Sequence, residues 1–265
     1  MFVALAITLI ILSLIAHELG HAWAMHSVGV KFTEIGLGIP VPHVPYLKFK
    51  VKRKNGEPLA ICLHPLILGA YVRMPDEKLP RIEAMPYKDQ SFIFGAGVLA
   101  NLLFTGVLLM TADLFFIGMP FTVMITHWHF LLVLGITSLL IARRKFFCRY
   151  LVFAMGIAMV GLVIWSLTKD PLKSLAGPVG IVRMVSHLSV NVGMAINMAA
   201  VVSLALATCN ALPLIPLDGG QIVQCLLLKA KVGKNGMRAY QLASIVIFIA
   251  LIATALSIDF VNIFK

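Results

Sequence analysis

Long apolar stretches, separated by shorter polar segments, dominate the pattern of this chain. Six of them are long enough to be helices that cross a bilayer, and they cover residues 1–26, 91–117, 123–142, 150–167, 194–215 and 239–258. A helix needs about twenty consecutive apolar residues to span the hydrocarbon core. The pattern therefore predicts an all-α polytopic membrane protein with about six transmembrane helices, folded as a single membrane-embedded domain over residues 1–265.

The polar segment after the first stretch has the alternating pattern of a β-strand. Between Tyr46 and Lys54, apolar Leu47, Phe49 and Val51 alternate with lysines, and Asn55-Gly56 follows. Asn-Gly is a strong hairpin signal because both positions tolerate positive φ, and residues 59–63 supply a return strand. A small β-hairpin is therefore predicted within a membrane-associated loop, 30–74, at the inner membrane surface. Its edge strand could accept an extended peptide by strand addition, or the hairpin could be a solvated cap that its lysines hold near lipid headgroups.

Composition and charge placement agree with a membrane protein. The chain is 60% hydrophobic and 12% charged, whereas soluble domains carry about 25% charged residues. If the N-terminus lies outside the cytoplasm, all but four of the 22 lysines and arginines fall in inside-facing segments, and the four exceptions are Lys169, Lys173, Arg183 and Lys265. This is the asymmetry of the positive-inside rule. The net charge of +11 therefore indicates topology, with secondary attraction to anionic headgroups, and no nucleic-acid partner is expected.

The four cysteines give no sign of a metal or redox motif. Cys62, Cys148, Cys209 and Cys225 are far apart and fit no paired spacing. Free thiols are expected.

The first apolar stretch contains a metal-binding motif, His17-Glu18-Leu19-Gly20-His21. Positions four apart lie on one face of a helix, so both imidazoles can reach one metal, and nitrogen donors favour zinc. Glu18 lies about a hundred degrees around the helix, where it can contact a metal-bound water without binding the metal. Ionisable groups in an apolar helix are costly unless paired or hydrated. The pattern therefore favours a catalytic zinc site over the alternative, in which the two histidines lie beyond the membrane edge as interfacial residues.

A third ligand is expected late in the chain, where an apolar helix is interrupted by Pro213 and Pro216 and a lone carboxylate, Asp218, follows. A catalytic zinc has three protein ligands and an open position. By the predicted topology, His21 and Asp218 lie at a similar depth. Asp218 could instead cap the helix predicted over 221–228, and one oxygen could serve each purpose.

Two asparagines are further candidates for function. Asn101 lies on a helix whose small residues permit close packing of a neighbour, and Asn210 precedes the two prolines. Each could hydrogen-bond a substrate backbone or another helix.

These motifs resemble the site-2 protease family of intramembrane zinc metalloproteases. The resemblance is carried by His17-Glu-Leu-Gly-His21 and by Asn210-Ala-Leu-Pro-Leu-Ile-Pro-Leu-Asp218-Gly219, each in a predicted span. Further similar segments include Gly36-Leu-Gly38 and Gly69-Ala-Tyr-Val-Arg-Met74 of the β-loop, Phe94–Asn101 and Gly177–Ile181. In all, the resemblance covers about 1–117 and 172–258.

The resemblance implies a function and a set of roles. His17, His21 and Asp218 would hold one Zn²⁺ per chain, and Glu18 would be the general base. Asn101, Asn210 and Gly69 would bind substrate. The substrate would be a transmembrane helix of another protein, and the enzyme would lie in a prokaryotic cell membrane with its N-terminus outside and its active site toward the cytoplasm.

The chain departs from the family's pattern in two places. Bacterial relatives that control envelope-stress sigma factors usually carry PDZ domains where this chain has the extra spans 123–142 and 150–167, so substrate filtering by a soluble domain is not expected here. The loop has Leu68-Gly69-Ala70 where relatives often have paired glycines.

The main alternative is an inactive scaffold or metal-binding transporter that retains the protease fold. Transporters usually place polar groups on several spans along a route and often show internal repeats, whereas here the ionisable groups concentrate at one depth and no repeat is visible. An inactive scaffold would be expected to lose Glu18, which is present. A histidine-box oxygenase would require several clustered histidine motifs, whereas the remaining histidines are scattered.

Overall fold

In a computed structural model, the protein is described over residues 2–53, 58–66, 69–74, 85–113 and 192–263. Within these ranges the helices are α1 (Phe2–Ser27), α2 (Tyr87–Ala112), α3 (Val192–Asn210), α4 (Asp218–Lys229) and α5 (Lys234–Ile263). The strands are β1 (Glu34–Leu37), β2 (Leu47–Lys52), β3 (Pro58–Leu63) and β4 (Ala70–Arg73).

Four helical segments in the described ranges are long and apolar enough to cross a membrane. They are Val3–Ser27, Tyr87–Ala112, Val192–Asn210 and Lys234–Ser257, and they correspond to four of the six predicted spans. The predicted spans 123–142 and 150–167 lie outside the described residues. Helix α3 ends at Asn210, earlier than the predicted 215, because Pro213 and Pro216 provide no N–H to continue the helical ladder.

Helices α1, α2 and α3 pack against one another and form the core of the described bundle. Small side chains lie in the buried clusters between these helices: Ala24 and Ala96 belong to the cluster between α1 and α2, and Ala6 and Ala195 belong to the cluster between α1 and α3. Association of helices in lipid depends on such close van der Waals packing, since lipid tails are as apolar as the side chains.

Helix α5 lies at the edge of the bundle and contacts α4. Its large apolar side chains are exposed in the described part of the chain, including Leu242 at 66% and Val246 at 64%. An apolar surface of this kind is typical of a helix that faces lipid.

The loop between α1 and α2 contains a four-stranded sheet with strand order β2-β3-β1-β4. Strands β2 and β3 form the predicted antiparallel pair, with Leu47 opposite Leu63 and Lys52 opposite Pro58; the turn residues Asn55-Gly56 lie outside the described residues. The hairpin is therefore part of a larger sheet than predicted, since β3 also pairs in parallel with β1, which pairs antiparallel with β4.

Strand β2 is an edge of this sheet and all six of its residues are exposed. Side chains alternate between the two faces of a strand. Leu47, Phe49 and Val51, between 48% and 57% exposed, therefore lie on one face and the lysines on the other.

Candidate metal centre

His17 and His21 lie one helical turn apart on α1, and their side chains meet inside the bundle. Each residue is 8% exposed. Their Nε2 atoms are 3.1 Å apart, and the rings meet edge to face. The i, i+4 spacing, from which a shared metal was predicted, therefore brings the two Nε2 atoms close enough to face one ion.

Asp218 completes the group from the other end of the sequence. Its Oδ2 lies 3.2 Å from His17 Nε2 and 3.3 Å from His21 Nε2. The alternative role as a helix cap is wrong, because Leu217 occupies the N-cap position of α4 and Asp218 is the first residue of the helix. The carboxylate of Asp218 and the two imidazoles therefore form one cluster.

The spacing of the three donor atoms fits a small tetrahedral cation. Zinc binds imidazole nitrogen and carboxylate oxygen at about 2.0–2.2 Å, and tetrahedral geometry then separates neighbouring ligand atoms by roughly 3.3–3.6 Å. The three observed separations are 3.1, 3.2 and 3.3 Å. Asp218 Oδ2 is buried and forms no hydrogen bond in the described part of the protein, as expected for an oxygen whose partner is a metal.

Helix α2 forms the back wall of this site through three positions on one face. The carbonyl oxygen of Ile93 lies 2.7 Å from His21 Nδ1, and the side-chain amide of Asn101 lies 3.3 Å from His17 Nδ1. Gly97 lies midway between them. A Cβ at Gly97 would be 2.7 Å from His17 Cε1 and would overlap His21 Nε2, so only glycine leaves room for both imidazole rings.

Asp218 is held in place by its own helix and by α5. Gly219 packs so closely on the preceding loop that a Cβ there would overlap the carbonyl oxygen of Ala211. The hydroxyl of Tyr240, on α5, lies 3.2 Å from the carbonyl oxygen of Pro213 and 3.0 Å from that of Gly220. Tyr240 therefore joins the proline loop to the first turn of α4.

Glu18 lies beside the cluster and outside its three-atom centre. Its carboxylate is close enough to interact electrostatically with His17, His21 and Asp218, and its side chain is half-buried. The group that can hold a metal within the described residues is His17, His21 and Asp218. Glu18 therefore lies outside the group of candidate ligands.

The remaining predicted site residues have other contacts. Asn210 Nδ2 donates to the carbonyl oxygen of Leu206, 3.0 Å away in the same helix. The carbonyl oxygen of Gly69 accepts from the backbone N–H of Gly38 within the β-loop, at 2.7 Å. Substrate binding by Asn101, Asn210 and Gly69 stays a prediction, and Asn101 has in addition the contact with His17.

Gly97 and Tyr240 are site residues that sequence reasoning missed. Gly97 was visible only as one of several small residues before Asn101, although its i−4 relation to Asn101 places both on one face. Tyr240 is a polar aromatic residue near the start of the last apolar stretch, where it could equally be an interfacial anchor.

Two of the described cysteines, Cys62 and Cys209, are free thiols, as predicted. Cys62, Cys209 and Cys225 form no disulfide, and Cys148 lies outside the described residues.

An integral membrane helix bundle with a His-His-Asp centre defines a class of membrane metalloproteases, and comparison with known proteins agrees. Residues 5–255 match the family described as peptidase family M50. The chain therefore belongs to this family of site-2 zinc metalloproteases, as the motifs predicted.

The chain is also similar to a cyanobacterial protein, the "Putative zinc metalloprotease slr1821" of Synechocystis sp.. The two sequences are 29% identical over 113 residues, which cover 39% of this chain and 29% of the relative. The match thus spans less than a third of the cyanobacterial protein.

Proposed function

We propose that this protein is an intramembrane zinc metalloprotease that hydrolyses peptide bonds within transmembrane segments of other membrane proteins. The observation that carries the proposal is the convergence of His17, His21 and Asp218 to within 3.3 Å of one another between apolar helices. Buried ionisable groups in a membrane bundle are expensive and mark functional sites. Membership of peptidase family M50 supports the same conclusion.

The roles of the site residues follow from their positions. His17, His21 and Asp218 would hold one zinc ion per chain. A zinc ion in this site would act as a Lewis acid and would lower the pKa of a coordinated water to roughly 7. Glu18, which lies beside the three ligands, would accept the proton of the attacking water and return it to the leaving amine nitrogen.

The proposed substrate is a single transmembrane helix that unwinds locally before cleavage. Peptide bonds in a helix have their carbonyl groups hydrogen-bonded, so an intact helix does not offer a free carbonyl to the site. Strand β2 supports a docking mode for the unwound segment, because it is an exposed edge strand with backbone groups available for strand addition.

The proposed topology is multi-pass, with the N-terminus outside and the active site toward the cytoplasm. The distribution of lysine and arginine supports it. The distances between Asp218 and the two histidines require the C-terminal half of α1 and the start of α4 to lie toward the same side of the membrane, and the charge distribution assigns that side to the cytoplasm.

A Glu18→Gln variant tests the catalytic proposal. The amide has nearly the same shape but cannot take a proton, so cleavage of a single-span model substrate in detergent should fall by roughly 10²–10⁴-fold. Zinc content should stay at one ion per chain, because Glu18 is not a proposed ligand. Substrate cleavage is followed by gel or mass spectrometry, and zinc by elemental analysis.

The matched control is Asp89→Asn, which removes a carboxylate from the first turn of α2 that does not belong to the candidate metal group. This control should cleave at the wild-type rate. Cleavage by Glu18→Gln at the wild-type rate would contradict the proposed general base. Wild-type protein that binds far less than one zinc per chain, after purification with zinc present, would contradict the proposed metal site.

A further inference from the structure

We propose that Asn101 is a positioning residue that accepts a hydrogen bond from His17 Nδ1 through its side-chain oxygen, and thereby keeps His17 Nε2 free to bind the metal. The inference rests on the proposed metal site and deepens it. It concerns which ring nitrogen of each imidazole carries the hydrogen, and the set of ligands alone does not decide this.

The contact between Asn101 and His17 is fully enclosed. Asn101 is 0% exposed and His17 is 8% exposed. The amide nitrogen of Asn101 lies 3.3 Å from His17 Nδ1, whereas its Oδ1 is buried and has no hydrogen-bond partner among the residues that the structure describes. A half-turn of the amide exchanges these two nearly isosteric atoms, so either one can face the ring.

The chemistry of a metal-binding imidazole selects the oxygen. A neutral imidazole carries one hydrogen, on either Nδ1 or Nε2. His17 Nε2 faces Asp218 and His21, so it must offer a lone pair to a metal bound there. The hydrogen is then on Nδ1, which becomes a donor. An amide nitrogen is also a donor and cannot accept it, whereas the amide oxygen can.

His21 shows the same arrangement without ambiguity. Its Nδ1 lies 2.7 Å from the carbonyl oxygen of Ile93, and a carbonyl oxygen can only accept. The hydrogen of neutral His21 is therefore on Nδ1, and its Nε2 is free. Ile93 and Asn101 lie two helical turns apart on the same face of α2, so one helix supplies one acceptor to each histidine.

The backbone of Asn101 is held in place by hydrogen bonds from two neighbours. Its backbone carbonyl oxygen accepts from Thr105 Oγ1 at 2.8 Å and from Ser203 Oγ, on α3, at 3.1 Å. Second hydrogen bonds of this kind orient metal-binding histidines, and their loss typically weakens metal binding about 10–100-fold. The Ser203 contact thus joins α3 to α2 at the residue that faces His17.

Two substitutions at Asn101 test whether its side chain acts on His17 as a hydrogen-bond acceptor or as a donor. Asn101→Leu removes both functions, and zinc binding should weaken by about 10–100-fold. Asn101→Asp retains acceptor oxygens and has no amide donor, so its zinc affinity should stay within about threefold of the wild type or become tighter. Zinc affinity is measured by chelator competition on the full chain in detergent, after removal of metal.

The control is Ser91→Ala, which removes another fully buried polar group of α2 that forms no side-chain hydrogen bond in the described part of the chain. Its zinc affinity should equal that of the wild type. The unfolding temperature of each metal-free variant, and its increase on addition of zinc, separates weakened metal binding from a weakened fold.

The outcomes distinguish this inference from the proposed function. Asn101→Asp that binds zinc as weakly as Asn101→Leu, or Asn101→Leu that binds as tightly as the wild type, would overturn the acceptor role. Wild-type protein that binds no zinc would instead overturn the metal site itself. If Asn101→Leu does not fold, Asn101→Asp alone decides, because a tenfold loss of affinity in that variant contradicts the inference and retained affinity supports it.

Discussion

At the scale of single residues, the metal centre depends on small differences in side-chain volume and hydrogen-bond capacity. Gly97 lies between the Ile93 carbonyl and the Asn101 side chain on α2, and the two imidazole rings fill the space where a side chain would be. The absence of a Cβ is therefore a requirement of the site rather than of the backbone, since the helix itself would be more stable with alanine.

Gly97→Ala should displace the histidine rings and weaken zinc binding by roughly tenfold or more. The added methyl group would overlap His21 Nε2, and the rings can avoid it only by leaving their present positions. Gly95→Ala is the matched control, because a Cβ there meets nothing within 4 Å; its zinc affinity should be unchanged. Equal zinc affinity of the two alanine variants in chelator competition would contradict the steric role of Gly97.

At the scale of elements, one buried carboxylate connects side chains from three strands of the β-loop sheet. Glu34, on β1, is 7% exposed; its oxygens accept from Tyr71 Oη at 2.6 Å and from Lys48 Nζ at 3.1 Å, and Arg73 lies 3.6 Å away. Lys48 belongs to the edge strand β2, so its side chain reaches across β3 to β1. The strand proposed to receive substrate is thereby tied to the centre of the sheet.

The carboxylate of Glu34 makes the sheet sensitive to acid. Burial tends to raise the pKa of Glu34, but the hydrogen bonds from Tyr71 and Lys48 and the charges of Lys48 and Arg73 outweigh it, so the pKa lies below its ordinary value of 4.5. Because the pKa of Glu34 is lower in the folded state than in the unfolded state, the ionised carboxylate stabilises the sheet at pH values above the unfolded-state pKa. This contribution is lost as the pH falls through the folded-state pKa.

Hydrogen exchange of β2 and β3, corrected for the intrinsic effect of pH, should therefore be constant from pH 7 to about 5 and should accelerate at lower pH. Glu34→Gln should exchange faster at pH 7 and should lose this acid-dependent step. Lys50→Gln, which removes a β2 charge that has no ion pair in the described ranges, is the control and should retain the step. An acid-dependent step that persists unchanged in Glu34→Gln would show that another group causes it.

At the scale of the whole molecule, the bundle brings together segments from the beginning, middle and end of the chain. Helix α1 supplies two proposed ligands and the base, α2 supplies the wall behind them, and α4 supplies the third ligand. Tyr240 then connects α5 to the loop that precedes α4. A metal at this centre would stabilise the packing of all these helices, because it binds only the assembled arrangement.

The proposed topology predicts which positions a membrane-impermeant maleimide can reach. In a variant without native cysteines, Lys50→Cys should be labelled in inverted vesicles and protected in right-side-out vesicles, because the β-loop is expected to face the cytoplasm. Lys265→Cys should show the opposite pattern if six spans place both termini outside. Labelling of both positions from the same side would contradict the six-span topology, and labelling of Lys50→Cys from outside would contradict the orientation of the site.

Local patterns were sufficient to predict the elements that depend on near neighbours in the chain. The apolar runs predicted the four spans of the described ranges, and the alternation between Leu47 and Val51 predicted the β2–β3 pair. The spacing of His17 and His21 predicted that their imidazoles meet on one face of α1. Each of these signals is set by the geometry of one helix or one strand, and can therefore be read within a window of about twenty residues.

The tertiary structure alone decided the relations between distant segments. It placed the Asp218 oxygen on both histidines instead of at a helix cap, set Gly97 and Asn101 behind the rings, and joined β1 to β4 and β3 in one sheet. No local pattern contains this information, because ring contacts and carbonyl partners depend on how closely two helices approach and on which faces meet. The sequence by itself determined the motif and the helix that carries it, and helix packing brought the three candidate ligands together.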